Sequence, residues 1–205
     1  MVNFVRPGLL FSAFLAASSF ATAAIPAPIS RLSMQTGAIT SQPIGHYEFC
    51  QKYKSECSVR SSNTKAAKLT ERGWSLVRSV NTEVNTSITP LTDMDAYGRD
   101  EVWAYPVTTG DCEDFALEKR KILMQRGFAA SDLLMTVLRK PDGEGHAVLT
   151  VRTTDGDFIL DNLNDDVKLW TKTSYRFLKR QDTRNSGRWV TIENGAEVLV
   201  GSVGN

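Results

Sequence analysis

Cysteine, histidine and aspartate follow one another where acyl-transfer chemistry needs them: Cys112 in Gly110-Asp111-Cys112-Glu113-Asp114-Phe115, His146 in Gly145-His146-Ala147-Val148-Leu149, and Asp161 in Leu160-Asp161-Asn162. These types supply a thiol nucleophile, the base that takes its proton and the carboxylate that orients the base. A cysteine in the first turn of a helix faces unpaired backbone N–H groups and the positive end of the helix dipole, and both favour thiolate. Its own N–H can point at the oxygen of a tetrahedral intermediate, with an upstream donor such as Trp103 as the second half of the hole. The competing reading makes Cys112 a small buried apolar side chain and His146 an ordinary core or edge histidine.

Three acids flank the thiol and cut both ways. Asp111, Glu113 and Asp114 suit a helix start, yet their charge opposes ionisation of a neighbouring thiol. A hard cation, with calcium the best match for oxygen ligands, would resolve the conflict if held by Asp111, Glu113 or Asp114 with Asp93, Asp95 or Asp100 from the preceding segment. Capping and solvated charge is the simpler alternative.

Whether His146 and Asp161 can meet depends on strand register. Along a strand, His146, Val148 and Thr150 share one face. A strict two-residue turn at Asp155-Gly156 sets Asp161 opposite Thr150, roughly 13 Å along the strand from His146 at ~3.4 Å per residue. A four-residue loop from Thr153 to Gly156 instead sets Asp161 opposite Val148 and diagonal to His146, within reach on the same face. A triad therefore requires the wider loop or a bulge.

The elements that carry these residues are legible to different degrees. A helix is predicted from Asp111 to Arg126, with Asp111 as N-cap, acids in the first turn, bases later and Gly127 beyond the end. An earlier helix is predicted from about Ala66, where Leu69, Leu76, Val77, Val80, Val84 and Ile88 recur at three- and four-residue steps, to Thr89-Pro90. Trp74 lies off that stripe and reads as a packing residue. Residues 91–110 show no period and read as an ordered loop into the site. Leu133 to Lys140, His146 to Thr154 and Phe158 to Asn164 read as strands separated by turn sequences, so an antiparallel meander follows the helix. Tyr175 to Lys179 and Trp189 to Ile192 extend the sheet.

The rest of the chain bounds the setting. Arg6, an apolar run from Leu9 to Ala17 and Ala21-Thr22-Ala23 read as a cleavable export signal over residues 1–23, too short to persist as a membrane span. Residues 24–64 read as a loop-rich arm and 65–205 as the catalytic domain. Of three cysteines, Cys50 and Cys57 are close enough to pair in an oxidising compartment, leaving Cys112 as the odd thiol. Zinc on Cys50, Cys57 and His46 is the alternative for that pair, and otherwise His46 reads as structural. With 24 Lys and Arg against 23 Asp and Glu, the chain has no bulk field to recruit nucleic acid or an anionic membrane.

Taken together, Gly110-Asp111-Cys112-Glu113-Asp114-Phe115-Ala116-Leu117-Glu118-Lys119, Gly145-His146-Ala147-Val148-Leu149 and Leu160-Asp161-Asn162-Leu163 closely resemble the bacterial transglutaminase-like cysteine proteinases. The resemblance extends to Phe49-Cys50 with Glu56-Cys57, to Asp100, Trp103 and Tyr105-Pro106, and to Tyr175 with Arg180-Gln181. It implies an α+β fold with a papain-like, transglutaminase-like core, Cys112 as nucleophile, His146 as base and acid, and Asp161 as orienter. It also implies calcium at Asp111 and Glu113, no organic cofactor, a periplasmic location, a surface adhesin as protein substrate, and restraint by an inner-membrane receptor. Two further readings use the same fold: an acyl transferase (transglutaminase or amidase) on the same triad, and a binding module without catalysis.

Overall fold

The computed structural model describes residues 32–193 together with Met1 and Gly195. The export signal read at residues 1–23, and the start of the arm that follows it, lie outside these residues. The described chain forms a seven-stranded sheet in the order β1-β9-β8-β4-β5-β6-β7, antiparallel throughout. Its strands are β1 (Thr36–Thr40), β4 (Leu133–Arg139), β5 (Gly145–Thr153), β6 (Gly156–Asp161), β7 (Asn164–Leu169), β8 (Arg176–Asp182) and β9 (Asn185–Ile192). Two short strands, β2 (Thr89–Pro90) and β3 (Thr109–Gly110), pair in parallel apart from it.

Two long helices cover one face. Helix α5 (Cys112–Gln125) lies across β4, β5 and β6, and α3 (Glu71–Ser87) packs beside it against β7. The core between them takes Val77, Val80 and Val84 from α3, Phe115, Leu117 and Leu123 from α5, and Leu133, Met135, Leu149, Val151 and Leu160 from the strands. Side chains alternate across a strand, so Val148 and Ile159 belong instead to a smaller cluster on the other face, with Met34, Leu138, Trp170 and Phe177. This mixed helix and antiparallel-sheet architecture is the α+β fold expected.

Several elements depart from the sequence reading, each for a local reason. The first long helix begins at Glu71, not near Ala66, because the Thr70 hydroxyl caps it by accepting from the Gly73 N–H, while Ala67 forms a bridge with Thr153. Trp74 packs edge-on against Phe158, with ring centroids 4.6 Å apart. The run from Phe158 to Asn164 is broken after Asp161 by a tight turn, and the polar strand β7 follows it at the sheet edge.

The loop-rich arm is also a correction. It supplies β1, α1 (Ile44–Lys52) and α2 (Lys54–Cys57). Helix α1 buries little of itself, but Phe49 enters the main core and Gly45 lies so close to Trp103 that a Cβ there would collide with the indole. Such a helix carries too weak an apolar stripe to be read from sequence and forms because tertiary contacts hold it. Cys50 and Cys57 form a disulfide, which removes the zinc alternative. Residues 91–110 are likewise not all loop, since Thr92 caps the short helix α4 (Asp93–Tyr97).

Candidate active site

Cys112 is the first residue of α5, with Asp111 at the N-cap. The Asp111 side chain accepts no hydrogen bond from the helix, and its Oδ1 is buried without a partner. The cap position is as expected, but the carboxylate turns elsewhere. The Cys112 thiol donates to Glu113 Oε2 at 3.1 Å and accepts from the Ala147 N–H at 3.4 Å. The second contact brings the nucleophile helix against the strand residue next to His146.

The β5–β6 register decides how His146 and Asp161 meet. Thr153 pairs with Gly156 and Leu149 with Leu160, which sets Asp161 beside Val148. This is the pairing a triad requires. It is reached without a wider loop, because the tight turn lies at Thr154-Asp155, one residue earlier than Asp155-Gly156. Gly156 takes a φ of 126°, a backbone state that suits glycine.

Asp161 lies at the end of β6 and is 4% exposed. His146 Nε2 donates to Asp161 Oδ1 at 2.9 Å, the Leu163 N–H donates to the same oxygen at 3.0 Å, and the Tyr175 hydroxyl donates to Oδ2 at 2.6 Å. A carboxylate can only accept, so Nε2 carries the proton and Nδ1 remains for the thiol. Burial alone would raise the Asp161 pKa, but these hydrogen bonds and the His146 charge outweigh it and hold the group below its ordinary value. Cys112 and His146 line one cleft of about 710 Å³, with Ile44, Glu101, Trp103 and Lys179 along its walls. The indole N–H of Trp103, expected as an oxyanion donor, is engaged by Glu101 Oε2 at 3.2 Å.

The conflict foreseen between thiol and acids is present. Burial first, then the Glu113 charge and hydrogen bond, push the Cys112 thiol well above its ordinary pKa. Burial and the Asp111 charge push Glu113 up to about 9, while burial and the Asp93 charge push Asp111 up to about 6. Carboxylate oxygens of Asp93, Asp111 and Glu113 lie within 4.8 Å of one another. Of the loop acids considered, Asp93 joins this group, whereas Asp100 lines the cleft without joining it. Asp114 turns away and accepts from the Ala104 N–H at 2.8 Å.

The family model described as bacterial transglutaminase-like cysteine proteinase BTLCP matches residues 36–197. The chain belongs to this family. It is therefore a cysteine peptidase of the transglutaminase-like class, acting on protein substrates. No match is found among curated proteins. Among solved structures, Legionella pneumophila LapG is similar in its calcium-bound form, at 25% identity over 57% of this chain and 68% of that one, with a TM-score of 0.49. A second LapG structure shows 21% identity over 73% of this chain and 81% of that one, and an EGTA-treated one 23% over 74% and 80%, both with a TM-score of 0.49.

Two contributors to this proteinase's site were not assigned roles from sequence. Tyr175 reaches Asp161 from the segment leading into β8, and the Ala147 amide reaches Cys112 from β5. The first is an aromatic residue no spacing links to the triad. The second is a backbone group that no residue pattern can reveal.

Proposed function

We propose that the protein is a periplasmic endopeptidase in which Cys112 is the nucleophile, His146 the base and acid, and Asp161 the group that orients the imidazole. The carrying observation is the 2.9 Å bond from His146 Nε2 to Asp161, which leaves Nδ1 for the thiol in the cleft both residues line. His146 Nδ1 takes the Cys112 proton, and Sγ attacks the carbonyl carbon of the scissile peptide. The Cys112 N–H, unpaired within the helix as a first-turn amide, donates to the oxyanion. Collapse expels the amine, which takes the proton back from His146, and water attacks the thioester to release the acid and restore the thiol.

Asp93, Asp111 and Glu113 fit a calcium ion: three oxygen donors lie within 4.8 Å of one another, and Asp111 Oδ1 is buried and unmatched. Bound there, calcium would offset the negative charge that keeps the adjacent thiol protonated. No helix among the described residues is long and apolar enough to cross a membrane. The residues shared with the family, with the export signal read at the N-terminus, support a periplasmic site, a large surface adhesin as substrate and an inner-membrane receptor as regulator.

The test is Cys112→Ala. Proteins released from cells carrying this variant should lack the fragments that the wild-type chain produces, while the purified variant keeps its circular dichroism. Cleavage that persists in the variant would refute the assignment, and a new isopeptide mass with an added amine would mark acyl transfer.

A further inference from the structure

Helix α5 buries Phe115, Ala116, Leu117 and Leu123 against the sheet, and among them it also buries Lys119, which is 0% exposed. Its Nζ has no hydrogen-bond partner, and its contact with the Phe115 ring, at 5.9 Å to the centroid, is weak compensation for an ammonium taken out of water. Arg120 beside it, by contrast, bonds to Glu56 and to the Leu133 carbonyl. A methionine would occupy the Lys119 position without the cost of burying a charge.

The surroundings of Lys119 indicate what it serves. The charges that favour its protonation are Asp161, which ends β6, and Asp165, one residue into β7 past the Asn164 that pairs with Asp161. Helix α3 faces the turn between those strands with two amides. Asn81 donates to the carbonyls of Asn164 and Asp165, and Asn85 donates to the Asp161 carbonyl and to Asp165 Oδ1. The side-chain oxygens of Asn81, Asn85 and Asn162 are buried there without donors. Unmatched acceptors thus gather around one turn, and the unmatched amine sits on the helix packed against β6, the strand that leads into it.

We propose that Lys119 is a positioning residue: its buried ammonium is the countercharge that holds the Asp161–Asp165 turn against the nucleophile helix and keeps Asp161 aimed at His146. It acts through the field and through the turn, because both Asp161 oxygens already accept from His146, Leu163 and Tyr175. Burial pulls the Lys119 ammonium down to about 7 against the pull of the two acids, so the side chain carries its proton at pH 6. The inference rests on the reading of Asp161 as the residue that orients His146.

Lys119→Met and Lys119→Gln test it, in the full chain at pH 6. Expected are a kcat lowered at least tenfold, a KM within twofold and an unchanged or higher melting temperature. A kcat within twofold of wild type in either folded variant, a loss that falls on KM with kcat unchanged, or a loss that only tracks the folded fraction would each overturn the proposal. If Lys119→Met fails to fold, Lys119→Gln decides. Full activity in these variants beside inactive Cys112→Ala and Asp161→Asn would sink this inference alone, whereas cleavage by Cys112→Ala would sink the reading beneath it.

Discussion

Replacing Tyr175 with phenylalanine removes one oxygen and leaves the ring that lies 5.8 Å from His146 in place. The lost contact is the 2.6 Å bond to Asp161 Oδ2. A hydrogen bond to a charged group contributes about 1.5–3 kcal/mol. Tyr175 and Asp161 also line a cavity of about 260 Å³ on the far side of the triad, and water entering it can replace part of the bond. The lower end of that range therefore applies, and about 1.5 kcal/mol corresponds to roughly a tenfold loss in kcat/KM. The loss should fall on kcat, since Tyr175 lies behind Asp161 and away from the cleft wall. Acid sensitivity should change as well. Asp161 has a depressed pKa in the folded protein, so its contribution to stability is complete above its unfolded value and is lost as pH falls through the folded one. With one donor gone the depression shrinks, and acid unfolding should begin at a higher pH. Steady-state cleavage of a peptide substrate, with melting temperature followed from pH 7 to pH 3, measures both. A Tyr175→Phe enzyme within twofold of wild type, with an unchanged acid transition, would refute the claim that Tyr175 holds the triad carboxylate.

Chelation with EGTA should lower the melting temperature by about 5–10 °C if calcium is present at ~100 times its dissociation constant. Asp93→Asn should weaken that effect, and equal melting with and without chelator would count against the site. His46 gives a separate acid response, because burial first and the Arg120 charge second hold its pKa down at about 4. Its imidazole accepts from the Trp189 indole at Nδ1 while neutral, so stability is complete above the unfolded value of about 6.5. It should decline by about 3 kcal/mol as pH falls to 4, then level off. Urea titrations from pH 8 to pH 4 should show this decline in the wild type and a shallower one in His46→Gln. Equal slopes would place the acid sensitivity elsewhere.

The nucleophile helix was legible because its cap position, first-turn acids and closing glycine agree, and because Cys112 is the thiol left over once Cys50 and Cys57 pair. The β5–β6 pairing was legible in outline, since alternation assigns His146 and Val148 to one face, but not the placement of its turn. Thr154-Asp155 and Asp155-Gly156 are both acceptable turn centres, and the two registers differ by two residues, so alternation keeps every side chain on its face in both and cannot choose between them. Helix α1 and strands β1 and β7 were illegible because each draws its stability from neighbours and not from its own pattern of apolar residues.

By itself the sequence determined the chemistry on offer: a thiol at a helix start, a histidine and an aspartate on adjacent strands, and acids that oppose the thiol's ionisation. These follow from residue type and local spacing, which act within a few residues. Only the tertiary structure decided that Asp93 joins Asp111 and Glu113, that Tyr175 donates to Asp161, and that Lys119 is buried without a partner on the helix packed against β6. Those contacts join residues distant in the chain, and packing against a common core, with no local pattern to announce it, brings them together.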